Sequence, residues 1–182
     1  LIQLVQNGLP LLEAASLLRS PWLLQGAEME ARSMLDMQLR HWRNPEVSLA
    51  TLIRLFESDG GEPTVAAPRF LGALRALEEL DLNGVRLTTA QWAERISHAL
   101  SFFEWAENGE RGDIALFAYN GWREGLDRLS SLGDFVGVVS FARASSELRQ
   151  ILSRMESQPP QKANGSSAEL LAPEEARGVG YD

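Results

Sequence analysis

The strongest constraint on this chain is a repeated spacing of apolar residues at i, i+3, i+4 and i+7. This spacing places the apolar side chains on one face of an α-helix, whereas a half-buried strand would alternate apolar and polar residues. About seven segments follow it. Their marker residues are Leu11, Leu12, Ala15 and Leu18; Leu35, Leu39 and Trp42; Leu49, Leu52, Ile53 and Phe56; Phe70, Leu74 and Leu77; Trp92, Ile96, Ala99, Leu100 and Phe103; Ala115, Tyr119, Trp122, Leu126 and Leu129; Phe141, Leu148, Ile151, Leu152 and Met155. The pattern predicts an all-α fold, and the uneven helix and loop lengths favour an irregular array of about seven helices.

Several residues mark where these helices begin. Thr88 and Gln91 have the spacing of a capping box. Ser48 and Ser140 are candidate N-caps. Pro68 stands where proline is favoured, at the first position of a helix.

The organisation along the chain predicts one helical domain over residues 1–157. A segment rich in Pro, Gln, Gly and Ser follows at 158–167 and is typical of a flexible linker. Residues 168–182 form a separate tail. The stretch from Phe135 to Val139 has the composition of a short strand, but no partner strand is evident nearby, and we interpret it as a connection. We expect the chain to be a piece of a larger protein, cut at both ends.

Composition excludes several classes of site. The chain has no cysteine, which rules out disulfides, thiolate nucleophiles and cysteine-ligated metals in this segment. The two histidines, His41 and His98, are expected on polar surfaces, and we predict no metal site, no cofactor and no catalytic residue. Apolar runs are too short to cross a bilayer, so we expect a cytoplasmic protein without membrane contact. The acidic pair Glu28 and Glu30 is expected to form ion pairs on a wet helix face.

The charge balance bears on nucleic-acid binding. A net charge of −8 disfavours non-specific binding to a polyanion. Yet Lys162 is the single lysine, so nearly all the basic residues are arginines, which suit bidentate phosphate or carboxylate contacts. The base composition of the genome could by itself give the same preference for arginine over lysine.

The tryptophans divide into two groups. Trp92 and Trp122 fall on apolar helix faces and are expected in the core. Trp22, Trp42 and Trp105 fall near helix ends, where packing in the core or at an interface is the first expectation and base stacking the alternative.

Three blocks together resemble a known family. Residues 17–22, LLRSPW, resemble the signature that opens the helical insertion in the second motor-like domain of RecB- and AddB-type proteins. Residues 26–32, GAEMEAR, with the following Leu35-Asp36 and Leu39-Arg40, resemble the next block in AddB-like DNA repair proteins. Residues 175–182, EARGVGYD, look like helicase motif V. The order and separation of the blocks carry the resemblance.

This resemblance implies a non-catalytic helical domain of a DNA repair helicase or exonuclease-like protein. Its work would be to position DNA or a partner helicase/nuclease subunit, and the parent protein would supply any ATP hydrolysis or cleavage. A protein-interaction scaffold without nucleic-acid contact is the alternative. The candidate contact residues are Arg19, Trp22, Arg32, Arg40, Arg43 and Arg177.

Overall fold

The computed structural model describes residues 1–41, 45–57, 67–105, 112–133 and 137–155. Within these ranges the chain is mostly helical, which confirms the predicted all-α class. The helices are α1 (Ile2–Asn7), α2 (Leu11–Leu18), α3 (Met29–His41), α4 (Leu49–Glu57), α5 (Pro68–Glu79), α6 (Thr89–Ser101), α7 (Gly112–Ser131) and α8 (Phe141–Met155). The predicted linker and the motif V-like tail lie outside the described residues.

Two helices in the described ranges were not predicted by the apolar spacing: a 3-10 helix at Leu24–Gly26 and helix α1. Both are short, as α1 illustrates. It has six residues, of which Leu4 alone is buried, so it is too short to display a helical period.

Two short antiparallel strand pairs accompany the helices. Strand β1 (Leu9–Pro10) pairs with β2 (Glu46–Val47), and β3 (Arg86–Thr88) pairs with β4 (Val138–Ser140). The second pair corrects the prediction that residues 135–139 form a connection without a partner. The partner strand lies far upstream, just before α6, and a strand of three residues has no room for a recognisable alternation.

The predicted helix starts are confirmed. Thr88 and Gln91 form a complete capping box at the start of α6, and Pro68 is the first residue of α5. The amide of Thr51 donates to Ser48 Oγ at 3.2 Å, and the amide of Arg143 donates to Ser140 Oγ at 3.4 Å. These caps satisfy amide groups that have no partner within their own helix.

One apolar core runs through the described elements, and α7 packs against both α6 and α8. Trp92 is fully buried, and its Nε1 donates to the carbonyl of Val139 on β4 at 2.9 Å. The Trp92 ring also contacts the ring of Phe141, with centroids 5.3 Å apart. Trp92 on α6 therefore contacts both strand β4 and the first residue of α8.

The prediction that Glu28 forms an ion pair on a wet helix face is wrong. Glu28 has a left-handed backbone, with φ of 58°, and its two carboxylate oxygens accept hydrogen bonds from the amides of Arg69 and Phe70, each at 2.9 Å. Its carboxylate therefore caps the first turn of α5, where the helix dipole favours negative charge. Spacing along the sequence cannot reveal this contact, because the two partners are 41 and 42 residues away.

No helix within the described ranges combines the length and the apolar character needed to cross a bilayer.

Candidate contact surface

The six predicted contact residues differ in where they lie. Arg43 and Arg177 lie outside the residues that the structure describes, as does Trp42. The remaining four, Arg19, Trp22, Arg32 and Arg40, lie on or next to the hairpin formed by α2 and α3.

Arg19 and Arg40 meet at one carboxylate. Asp36 Oδ2 lies 3.3 Å from Arg19 Nε, and Asp36 Oδ1 lies 3.2 Å from Arg40 Nε. The Asp36 side chain is only 6% exposed, whereas the arginine side chains are 51% and 48% exposed. A buried carboxylate thus holds two guanidinium groups at the surface, and this cluster carries a net charge of +1.

The two arginines differ in the donors that remain. Arg40 uses both Nε and Nη2 on Asp36. Arg19 engages Asp36 and the Ala15 carbonyl through Nε, and its terminal nitrogens make no hydrogen bond to any described residue. Since guanidinium donors suit phosphate and carboxylate oxygens, Arg19 is the better placed of the two to contact an anion.

Arg32 does not lie on this surface. It is fully buried, its Nη1 donates to the Ser20 carbonyl at 3.2 Å, and its guanidinium lies 5.4 Å from the centroid of the Phe70 ring. Burial lowers the pKa of Arg32 from its ordinary value, and the Glu28 carboxylate partly opposes this change. A ligand in solution therefore cannot reach Arg32 in this structure, and its role is to pack the 17–22 segment against α5.

Part of the Arg32 guanidinium is also left without hydrogen-bond partners. Its Nε and Nη2 atoms are buried and have no hydrogen-bond partner among the described residues. Such orphaned donors are costly in an apolar interior. Arg32, predicted as a contact residue, is thus a buried packing residue with two unsatisfied donors.

Trp22 is 44% exposed and lies at the edge of a groove of about 420 Å³. Trp105 and Trp122 line the same groove, which we call the tryptophan groove. These two rings meet edge-on, with centroids 5.6 Å apart and an interplanar angle of 80°. Three of the five tryptophans therefore converge, although they are distant in sequence.

The walls of the tryptophan groove come from α1, α2, α6, α7 and α8. Its apolar lining residues are Leu1, Ile2, Leu17, Leu23, Leu100, Leu148 and Leu152. Arg149 supplies the charged group of the lining, and its Nη2 donates to Gln6 Oε1 at 3.1 Å. The groove is thus apolar, aromatic and weakly cationic, which suits a flat uncharged ring or an apolar side chain.

Sequence reasoning identified Trp22 but not the groove. Trp122 was expected in the core, yet it is partly buried at the margin of the core. Trp105 was placed correctly near a helix end. The available signal was the position of Trp22 and Trp105 at helix ends, but their convergence depends on how five helices pack.

Within the described ranges, no group of three or more His, Asp or Glu side chains is arranged to hold a metal ion. His98 is exposed and contacts the Phe102 ring edge-on, and His41 Nδ1 lies 2.8 Å from the Met37 carbonyl.

Comparison with models of protein families, with curated proteins and with solved structures finds no match to this chain.

Proposed function

We propose that this chain is a non-catalytic helical domain of a cytoplasmic DNA repair helicase or exonuclease-like protein, and that it positions DNA or a partner subunit. The observation that supports this most is the convergence of Trp22, Trp105 and Trp122 on one groove, beside the hairpin that carries Arg19 and Arg40. The blocks that resemble AddB-like proteins, residues 17–22 and 26–32, lie in the same hairpin, because they cover the end of α2, parts of the connection and the first turn of α3.

The chemistry of this surface suits a single strand of DNA better than a duplex. Aromatic rings in a groove can stack on unpaired bases, which contributes about 1–3 kcal/mol per base. Arg19 would then contact a phosphate next to the stacked base. The overall charge of −8 limits binding elsewhere on the chain, so we expect weak binding confined to this surface.

A salt titration tests the role of the arginines. The 182-residue chain is titrated into a labelled single-stranded oligonucleotide at several salt concentrations, and binding is followed by fluorescence anisotropy. Each phosphate contact on a single strand contributes about −0.7 to the slope of log K against log salt. Arg19→Gln is expected to make the slope less negative by about this amount.

Arg143→Gln is the matched control, because Arg143 is also an exposed arginine paired with a carboxylate, Glu147, but lies on α8 outside the tryptophan groove. Its slope should equal that of the wild type. An equal effect of both substitutions would show that net charge, and not this surface, controls binding. No binding at low salt would leave positioning of a partner subunit as the role.

A protein-interaction scaffold is the second candidate, and the outer face of α3 favours it. Met29, Met34 and Met37 are 40%, 49% and 62% exposed there, and they are three of the four methionines in the chain. Methionine side chains are flexible and polarisable, and they are common on adaptable protein-binding surfaces.

A pull-down with the chain as bait tests the scaffold. A partner that depends on this face should be lost when Met34 and Met37 are both replaced by glutamate, and retained with the wild type. Recovery of no protein by the wild type would count against the scaffold.

A further inference from the structure

A second cavity, of about 680 Å³, is lined by residues of α6 and α7 and shares Trp105 and Trp122 with the tryptophan groove. Its volume is in the range of sites that hold small organic groups. Three aromatic residues contribute to its lining, Trp105, Tyr119 and Trp122. The centroids of the Trp105 and Tyr119 rings are 6.3 Å apart. We call this the α6–α7 cavity.

The charged groups of the α6–α7 cavity are biased toward the negative. Glu94 and Asp127 both line it, and neither carboxylate has an ion-pair or hydrogen-bond partner among the described residues. Arg123 is the arginine of the lining, beside the imidazole of His98, so the carboxylates outnumber the guanidinium by two to one. The lining therefore carries a net charge of −1, which disfavours a phosphate and favours a cation.

One contact in the lining pairs a guanidinium with an aromatic ring. The Arg123 guanidinium lies over the Tyr119 ring, with its Cζ 6.0 Å from the ring centroid. A guanidinium is planar and weakly hydrated, so it stacks on aromatic faces better than an ammonium does. Arg123 and Tyr119 are four residues apart on α7, so this contact is local to that helix, and it shows a guanidinium beside one of the three aromatic residues of the lining. The Glu94 and Asp127 carboxylates in the same lining have no partner among the described residues.

We infer that the α6–α7 cavity binds an arginine side chain of a partner protein, held by the Trp105–Trp122 rings and by Glu94 and Asp127. Charge complementarity and the aromatic lining support this occupant. A nucleic acid is disfavoured here because both carboxylates would repel its phosphates. The inference does not depend on DNA binding by the tryptophan groove.

The probe for this site is Nα-acetyl-arginine amide, titrated into the 182-residue chain and followed by tryptophan emission. Its neutral isostere, Nα-acetyl-citrulline amide, is titrated in parallel, because it preserves shape and removes the charge. A ligand of this size is expected to bind with a Kd on the order of 1 mM. The arginine compound should bind at least about threefold more tightly than the citrulline compound.

Variants locate the binding. Asp127→Asn and Glu94→Gln are surface changes, and each should weaken binding of the arginine probe about two- to fivefold. Glu79→Gln, at an exposed carboxylate of α5 outside the cavity, is the control and should leave the Kd unchanged. Trp105→Leu should weaken binding by a similar factor, with its helix content checked by circular dichroism.

Equal affinity for the arginine and citrulline compounds would overturn the inference. So would an unchanged Kd in both Asp127→Asn and Glu94→Gln, or an equal loss in Glu79→Gln. Failure of the oligonucleotide titration alone would leave this inference standing, which keeps the two proposals separable.

Discussion

Replacing Arg32 separates a packing role from a contact role. Arg32→Met keeps most of the length of the buried stem and removes the guanidinium. Two stabilising contributions to the free energy of unfolding are lost. They are the charged hydrogen bond to the Ser20 carbonyl, about 1.5–3 kcal/mol, and the contact with the Phe70 ring, about 2 kcal/mol when desolvated. The substitution also removes the cost of burying two donors without partners, Nε and Nη2, which is about 1–3 kcal/mol each.

These terms nearly cancel, so the free energy of unfolding of Arg32→Met should lie within about 2 kcal/mol of the wild-type value. Arg32→Ala has the same polar terms but also leaves a cavity, which typically costs about 2–5 kcal/mol. We therefore expect the alanine variant to be less stable than the methionine variant by about that amount. Urea denaturation followed by circular dichroism measures both.

The order of the two variants is the decisive result. Equal stability of Arg32→Met and Arg32→Ala would refute the reasoning, because it would mean that the stem of Arg32 fills no buried space. A folded Arg32→Met variant that loses oligonucleotide binding while Arg19→Gln retains it would show that the guanidinium reaches a ligand after all.

Two further predictions concern the α6 region. Thr88→Ala removes the capping box and should lower the free energy of unfolding by about 1 kcal/mol, measured by urea denaturation, with Thr88→Ser as the control that retains the cap. An equal loss in both variants would contradict the capping role. Trp92→Phe leaves the Val139 carbonyl without its donor and a small void, and should cost roughly 2–4 kcal/mol by the same measurement. A loss below about 1 kcal/mol would indicate that the contacts of the Trp92 ring do not stabilise the packing of α6 against β4 and α8.

The helices could be predicted because their signals are local. The period of Trp92, Ile96 and Ala99 and the capping pair Thr88 and Gln91 are contained within a few turns of one helix. The same reasoning fails where a partner is remote. The β3–β4 pair joins Thr88 to Val138, and no local pattern connects them.

The contact residues show the same limit. Arg19 and Arg32 look alike as exposed basic residues in the sequence, yet one is half exposed and the other is fully buried. The difference arises from packing of the α2–α3 hairpin against α5, where Phe70 receives the Arg32 guanidinium. The tryptophan groove could not be predicted either, because Trp22, Trp105 and Trp122 meet only through the packing of five helices that are distant along the chain.

The most direct test of the proposed function is the affinity of the 182-residue chain for a labelled single-stranded oligonucleotide, compared between wild type and Trp22→Ala at low ionic strength. Trp22 is 44% exposed, so its removal should leave the fold intact, and circular dichroism verifies this. Loss of one stacked base predicts an affinity at least about fivefold weaker. Equal affinities of the two folded proteins would contradict a DNA-positioning role for the tryptophan groove.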